Sequence, residues 1–379
     1  MWYSSGALIK TSMKELENIY VIILKLSSLA INNKSSDREL SDSLAALNEK
    51  EWTALYNCLS KLGVSLLVLP IVLEKNRNDI PKNIMHQWVY RYQAYESTYN
   101  NRAKLIVSLC TFLREYHFNP ILMKGMSIGL DYPRPNEREC GDIDLYFGDD
   151  RARFDEFMTL RGFITEDTTG KHSHITAYGE IIENHSSFLD LDTGDKQNLI
   201  LERYIKKLLK KEGTYTDERL VGVNQLSYNA EALFFHRHAA VHFAGKGITL
   251  RYMCDWTARI NKHWEKMNFD VLIDMWQKSG QIYYVACFHE LCVRYMGVDP
   301  LLVEFPEYSR PSEKLIRKML LEMLSPIYSK NLSLKGLKGL INKTEILIRQ
   351  PWKHRLVYRR PYFKVFFKLL AKNLITKED

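Results

Sequence analysis

One block of the chain, from about residue 115 to 195, breaks a sequence that is otherwise helical in texture. It contains a short apolar run at Ile121–Met123 and an alternating polar and apolar run at 141–147, and both patterns are typical of β-strands. On either side of it, apolar residues recur at the helical period. The pattern therefore predicts an α+β fold, with a small mixed sheet between an N-terminal and a C-terminal helical region.

The remaining patterns define the predicted organisation. Within the block, further strands are predicted at 163–165, 174–178 and 181–189, and a helix at 150–160. The chain divides accordingly into an N-terminal helical region at 1–114, an α/β core at 115–198, a helical domain packed on the core at 199–300 and a basic helical tail at 301–379. We expect the functional chemistry to lie in the core, because it carries the only mixed texture.

Local signals predict where several N-terminal helices begin and end. Asn48 is followed three residues later by Glu51, which is the spacing of a capping box. Pro70 is predicted to interrupt the apolar run at 66–73, since proline removes a helical hydrogen bond. A long helix is predicted from about 84 to 116.

Composition excludes several classes of protein. The chain has 379 residues, of which 46% are hydrophobic and 26% charged, so it can bury a large core and is not disordered throughout. No apolar run approaches the ~18 residues that would span a bilayer, and the N-terminus lacks the features of a signal peptide. The six cysteines form no CxxC pair and are expected to be reduced thiols. A cytoplasmic protein is the expectation.

The positive charge is concentrated at the C-terminus. Residues 330–379 contain 13 Lys and Arg against 3 Asp and Glu, which exceeds the net charge of +8 for the whole chain. Rings and cations interleave at 352–364, a pattern that could contact nucleic acid or form a basic amphipathic helix. Docking of this segment on the body of the protein is the favoured interpretation, and nucleic-acid contact stays open.

The strand at 141–147 carries the most informative residues. Asp142 and Asp144 are two apart, so their side chains leave the same face of the strand, roughly 6.5–7 Å apart along it. Ile143 and Leu145 then point to the opposite face. Two carboxylates side by side repel each other unless a cation lies between them, and Mg²⁺ prefers carboxylates and phosphates as ligands. The pair therefore indicates a metal site.

Two further elements strengthen this hypothesis. Lys124, Gly125 and Ser127 lie between an apolar strand and a helix, where backbone amides and a hydroxyl could hold a phosphate. Glu183 lies on a predicted neighbouring strand and could complete a cluster of three carboxylates. His185 is interpreted as a hydrogen-bonded core histidine rather than a metal ligand.

Together these motifs resemble the uncharacterised nucleotidyltransferase family, which belongs to the DNA polymerase beta-like nucleotidyltransferase superfamily. The similarity is carried by the run Ile121, Leu122, Met123, Lys124 and Gly125, by Asp131, Tyr132 and Pro133, by Arg138, by Gly141, Asp142, Ile143, Asp144 and Leu145, and by Glu183, Asn184 and His185. The resemblance implies a mixed sheet flanked by helices. It also implies catalytic, metal-binding carboxylates at Asp142, Asp144 and Glu183, and a nucleoside triphosphate as donor.

The resulting functional prediction is a metal-dependent nucleotidyltransferase that uses Mg²⁺ or Mn²⁺. It would transfer a nucleoside monophosphate to an unidentified hydroxyl acceptor, which could be a small molecule, a protein or RNA. Lys124, Gly125, Ser127 and Arg138 are predicted to bind the nucleotide, although Arg138 could equally orient a carboxylate. The alternative is a catalytically inactive module with the same fold that binds a nucleotide, RNA or a protein partner.

Overall fold

A computed structural model describes residues 6–167, 172–191, 195–245, 247–325 and 351–358. The N-terminal region is helical, as predicted. Its helices are α1 (Gly6–Ile31), α2 (Arg38–Ala45), α3 (Glu49–Leu62), α4 (Ser65–Asn76) and α5 (Lys82–Glu115). The capping box is confirmed, because the Asn48 side chain accepts from the backbone of Glu51 and the Glu51 carboxylate accepts from the backbone of Asn48. The predicted interruption at Pro70 is wrong: α4 continues through this residue.

The middle of the chain forms a mixed sheet, which confirms the α+β fold. Its strands are β1 (Ile121–Met123), β2 (Ile143–Tyr146), β3 (Ile164–Asp167), β4 (His172–Ala177), β5 (Glu180–His185), β6 (Thr214–Tyr215) and β7 (Asn224–Leu226), in the order β3-β4-β5-β2-β1-β7-β6. Two helices, α6 (Lys124–Gly129) and α7 (Arg151–Thr159), follow β1 and β2. The pairs β1–β7 and β2–β5 are parallel and the other four are antiparallel.

The C-terminal part returns to helices. They are α8 (Lys196–Glu212), α9 (Tyr228–Ala244), α10 (Leu250–His263), α11 (Phe269–Lys278), α12 (Ile282–Met296), α13 (Glu313–Leu324) and α14 (Pro351–Tyr358), and single 3-10 turns lie at Pro135–Glu137, Gly148–Asp150, Glu218–Leu220, Trp264–Lys266 and Glu307–Ser309. Strands β6 and β7 lie between α8 and α9, so this region also contributes to the sheet. Among the described helices, none combines the length and apolarity needed to cross a bilayer.

The two faces of the sheet pack differently. Leu122, Ile143 and Ile182 lie in a smaller hydrophobic cluster with residues of α5 and α7. Ile121 and Met123 point to the opposite face and join the large cluster, which includes residues of the N-terminal and C-terminal helices. Because side chains alternate along a strand, Asp144 and Glu183 also lie on this second face.

In the described parts of the basic tail, 301–325 and 351–358, the helix α14 packs on the body. The Lys353 ammonium forms an ion pair with Glu322, and both side chains are buried. The Trp352 ring lies 5.5 Å from the Phe243 ring on α9, measured between centroids. Residues 326–350 and 359–379 of the tail lie outside the described residues, so nucleic-acid contact through it stays a prediction. All six cysteines are free thiols, as expected.

Candidate metal and nucleotide site

Strand register brings the polar side chains together. Asp144 on β2 pairs with Glu183 on β5, and Glu183 in turn pairs with His174 on β4. Two residues away on each of these strands, His185 on β5 pairs with His172 on β4. Side chains at paired positions share a face and lie close together, with Cβ atoms about 5 Å apart. The register therefore lines up two carboxylates and three imidazoles on one face of the sheet.

Asp142 completes the predicted cluster of three carboxylates. It lies one residue before β2 and shares the face of Asp144. Asp142, Asp144 and Glu183 each have one carboxylate oxygen that lies within 4.8 Å of the oxygens of the other two. Asp144 is buried, whereas Asp142 and Glu183 are half-buried. The arrangement offers oxygen ligands from two neighbouring strands to one point at the edge of solvent.

The loop before Asp142 is held in place by the long helix α5. The Tyr95 hydroxyl accepts from the Cys140 amide at 2.5 Å and donates to the carbonyl of Arg138 at 2.9 Å. Arg102 donates to the carbonyls of Cys140 and Gly141 at 2.6 and 3.1 Å. Burial is the main reason that the pKa of the Tyr95 hydroxyl is raised, so it stays neutral and able to donate. These bonds fix the start of β2.

Lys124 supplies a positive charge to the cluster. Its Nζ atom lies 2.5 Å from Asp144 Oδ1 and 4.0 Å from Glu183 Oε2. Burial opposes the charged form, but the neighbouring carboxylates raise the pKa of Lys124 above its usual value. The backbone of Lys124 has a φ of 51°, a left-handed conformation that costs a residue with a Cβ roughly 1–2 kcal/mol. This conformation occurs where β1 turns into α6. The strained backbone therefore belongs to Lys124, the same residue whose side chain contacts the carboxylates.

The carboxylates differ in their electrostatic environment. Burial, together with the negative charges of Asp144 and Glu183, raises the pKa of Asp142. Burial acts on Glu183 in the same direction, but the hydrogen bond with His185 and the charge of Lys124 outweigh it and lower the pKa of Glu183. Burial is the main cause of the raised pKa of Asp142, and repulsion by Asp144 and Glu183 adds to it more than Lys124 offsets.

Two histidines contact the carboxylates directly. His185 Nε2 lies 2.9 Å from Asp144 Oδ1 and 3.2 Å from Glu183 Oε2, and its ring is buried. His174 Nε2 lies 3.3 Å from Glu183 Oε1. The buried contacts of His185 agree with its interpretation as a hydrogen-bonded core residue. His172 and His174 have no role predicted from the sequence, because their proximity depends on the pairing of β4 with β5.

Gly125 and Ser127 lie in the interior. A Cβ atom on Gly125 would lie 2.8 Å from the Cβ of Cys140, so the glycine permits a close approach of the two segments. Ser127 is buried and its hydroxyl donates to Gln225 Oε1 at 3.2 Å. Both residues therefore have contacts within the protein that explain their identity, and neither presents an exposed group to a phosphate.

Arg138 is committed to a buried ion pair. Its Nε and Nη2 atoms donate to the two oxygens of Asp255 on α10, at 2.8 and 2.9 Å. The Tyr132 hydroxyl donates to the same carboxylate at 2.7 Å. Of the two roles left open for Arg138, this geometry favours orienting a carboxylate. That carboxylate connects α10 to the core and is not part of the cluster around Asp144.

A comparison with known protein families identifies one match. The model of a family described as "uncharacterised nucleotidyltransferase" matches residues 48–297, about two thirds of the chain. The matched segment runs from just before α3 to just after α12, and it contains the entire carboxylate and histidine cluster. No curated protein and no solved structure gives a significant match.

Proposed function

Because this chain belongs to the uncharacterised nucleotidyltransferase family, we propose that it transfers a nucleoside monophosphate from a nucleoside triphosphate to a hydroxyl acceptor and releases pyrophosphate. The observation that carries the proposal is the convergence of Asp142, Asp144 and Glu183, whose ligand oxygens lie within 4.8 Å of one another. Phosphoryl and nucleotidyl transfer depend mainly on positioning and charge neutralisation at the phosphates. A cluster of this kind serves that purpose when it holds a divalent cation.

The residues present fit Mg²⁺ or Mn²⁺. The three carboxylates are hard oxygen ligands, which both ions prefer, and Asp142 and Glu183 remain accessible from solvent. Burial and the two neighbouring carboxylates raise the pKa of Asp142, and a bound cation would relieve that repulsion. A divalent ion at this site would stabilise the charge of the triphosphate and activate the acceptor hydroxyl.

The protein's own side chains would orient the reactants. His185 bonds to Asp144 and Glu183 and so fixes the rotamers of two carboxylates at once. The Lys124 ammonium lies against Asp144 and is the predicted nucleotide-binding cation that reaches the cluster. We propose that it donates to the triphosphate when the nucleotide is bound, which would place a fixed positive charge beside the leaving group. Gly125, Ser127 and Arg138 would support the site by shaping the chain around it.

The test is transfer of label from each α-labelled nucleoside triphosphate in the presence of Mg²⁺ or Mn²⁺ and a cell extract. We expect a labelled product that carries a nucleoside monophosphate. Asp144→Asn should lower the rate by about 10³-fold or more, because it removes a metal ligand worth several kcal/mol of stabilisation. The matched control is Asp149→Asn, which changes an exposed aspartate just beyond β2 and should leave the rate unchanged.

The alternative is a catalytically inactive module that binds a nucleotide, RNA or a protein partner. Nucleotide binding without any labelled product, for every triphosphate and both metals, would favour it. The acceptor of the proposed enzyme is a small molecule, a protein or RNA, and treatment of the labelled product with protease or ribonuclease separates these classes. Equal turnover by the wild type and Asp144→Asn would refute the catalytic assignment.

A further inference from the structure

Glu183 belongs to two clusters with different ligand chemistry. On one side are the oxygens of Asp142 and Asp144. On the other side are the imidazoles of His172 and His185, and one potential ligand atom from each of His172, Glu183 and His185 lies within 4.8 Å of the others. The ring centroids of the two histidines are 5.3 Å apart. The sheet therefore presents two imidazoles and a carboxylate next to a cluster that consists only of carboxylates.

Strand pairing fixes the second group. His172 and His185 are paired residues on β4 and β5, so their proximity follows from the register and not from a mobile loop. Glu183 lies two residues before His185 on β5 and points to the same face. The His185 Nε2 atom lies 3.2 Å from Glu183 Oε2, so this nitrogen and the Glu183 carboxylate face the same position. A metal shared with Glu183 would bind there in place of the hydrogen bond between the two residues.

Imidazole changes which metal such a site selects. Mg²⁺ prefers oxygen ligands, whereas imidazole suits zinc and other transition metals. Three protein ligands of the type His, His and carboxylate leave one position of a tetrahedral zinc site open. Ligands about 2.1 Å from zinc in a tetrahedron lie about 3.4 Å apart, so small side-chain rotations would bring these three groups to bonding distance.

We propose that His172, Glu183 and His185 form a second metal position, which binds a divalent transition metal such as Zn²⁺ and shares Glu183 with the carboxylate cluster. The excess of negative charge around Glu183 favours a second cation, because three carboxylates there face one lysine. The proposal depends on the described geometry and does not require nucleotidyl transfer.

The test measures Zn²⁺ affinity of the full chain without nucleotide, by competition with a chromophoric chelator. His172→Gln should weaken Zn²⁺ binding by about tenfold or more, since it removes one of three ligands. His174→Gln is the matched control, because His174 is on the same strand and also contacts Glu183 but lies outside the group of three. It should change the affinity by less than about threefold. Equal losses in both variants, or no loss in either, would overturn the proposal.

X-ray absorption of the zinc-loaded wild type tests the proposal without any substitution. We expect scattering from two imidazoles and a shell that also contains oxygen. A shell with one imidazole or none would overturn the assignment, because the metal would then lie in the carboxylate cluster or elsewhere. Both measurements are made without nucleotide. A protein that binds zinc in this way but shows no nucleotide transfer would refute the proposed function and leave the second metal position intact.

Discussion

Two regions of the molecule withdraw carboxylates from water, and they neutralise them differently. In the interior between the core and the C-terminal helices, three buried carboxylates each pair with an arginine. The pairs are Arg138 with Asp255, Arg237 with Asp195 and Arg259 with Asp131. On the face of the sheet, Asp142, Asp144 and Glu183 share the single ammonium of Lys124 and the imidazoles beside it.

The difference is in how completely the negative charge of each region is neutralised. A buried carboxylate with a bidentate arginine is balanced, so a further cation would bring no gain. Three carboxylates around one lysine remain short of positive charge, and after burial the charges of Asp144 and Glu183 are the next causes of the raised pKa of Asp142. A region that keeps such an imbalance at the edge of solvent is a candidate for binding a cation. Substitutions that remove one charge in each region test this difference.

The largest effect is expected from breaking a balanced pair. Asp255→Ala leaves the buried Arg138 guanidinium without a carboxylate, and it also removes the acceptor of the Tyr132 hydroxyl. Loss of one partner of a buried pair costs about 3–5 kcal/mol, so the free energy of unfolding should fall by about 4 kcal/mol. Urea denaturation measures it.

A double variant distinguishes pairing from packing in this region. Arg138→Met with Asp255→Leu removes both charges and keeps much of the buried volume. Because an ion pair replaced by apolar groups is often close to neutral in stability, the double variant should recover at least half of the loss. A double variant as unstable as Asp255→Ala would mean that the pair contributes through its shape and its other contacts rather than through charge balance.

Glu231 is a buried carboxyl group with no ion pair to an arginine among the described residues. We expect it to be neutral because it is protonated. Neither of its oxygens has a hydrogen-bond partner among the described residues, and burial raises its pKa to about 7 from 4.5. The folded state therefore holds this proton more tightly than the unfolded state, and stability falls as the pH rises from about 4.5 to 7. Glu231→Gln should be more stable than the wild type at pH 8, by on the order of 3 kcal/mol.

The pH dependence provides the control for this prediction. The difference in unfolding free energy between Glu231→Gln and the wild type should shrink as the pH falls and approach zero below about 4.5, where Glu231 is protonated in both the folded and the unfolded wild type. A difference that stays constant between pH 5 and pH 8 would show that Glu231 is ionised throughout. The interior would then contain an unbalanced charge, which contradicts the comparison.

The smallest effect concerns the lysine on the sheet face. Lys124→Met keeps the length of the side chain but removes the ammonium that lies against Asp144. A metal would then no longer compete with this charge, and Mn²⁺ should bind about tenfold more tightly without nucleotide, or about 1.4 kcal/mol. Calorimetric titration measures it, and Lys278→Met, a surface lysine on α11, is the control. Weaker Mn²⁺ binding in Lys124→Met would mean that the lysine supports the metal site.

The local elements of the site could be predicted from the sequence, but the strands with which they pair could not. The apolar run Ile121–Met123 and the alternation around Asp142 and Asp144 depend on neighbouring residues, and they gave β1 and β2 correctly. Glu183 was reached through its strand pattern and the family resemblance. His172 and His174 were missed, because only the pairing of β4 with β5 brings them to Glu183.

Elements that depend on tertiary context were also missed. Strands β6 and β7 have two and three residues, too few for a period to be read in the sequence. They join the sheet through tertiary pairing, β7 with β1 and β6 with β7. Helix α4 continues through Pro70, where buried apolar neighbours on both sides outweigh the lost hydrogen bond. Ser127 matched a phosphate-binding turn in sequence, but the fold turns its hydroxyl toward Gln225. The division into four regions stays a prediction.

The antiparallel pairing of β1 with β2 has a consequence for how this site could diversify. Lys124 follows Met123 directly, and Met123 is the cross-strand neighbour of Asp144, so one pair of adjacent strands carries both the ammonium and its carboxylate. This strand pairing sets the spacing of the two residues, while α5 holds the loop just before Asp142. Helices that do not contact these two strands could then differ in length or tilt to admit different acceptors without moving the two charges.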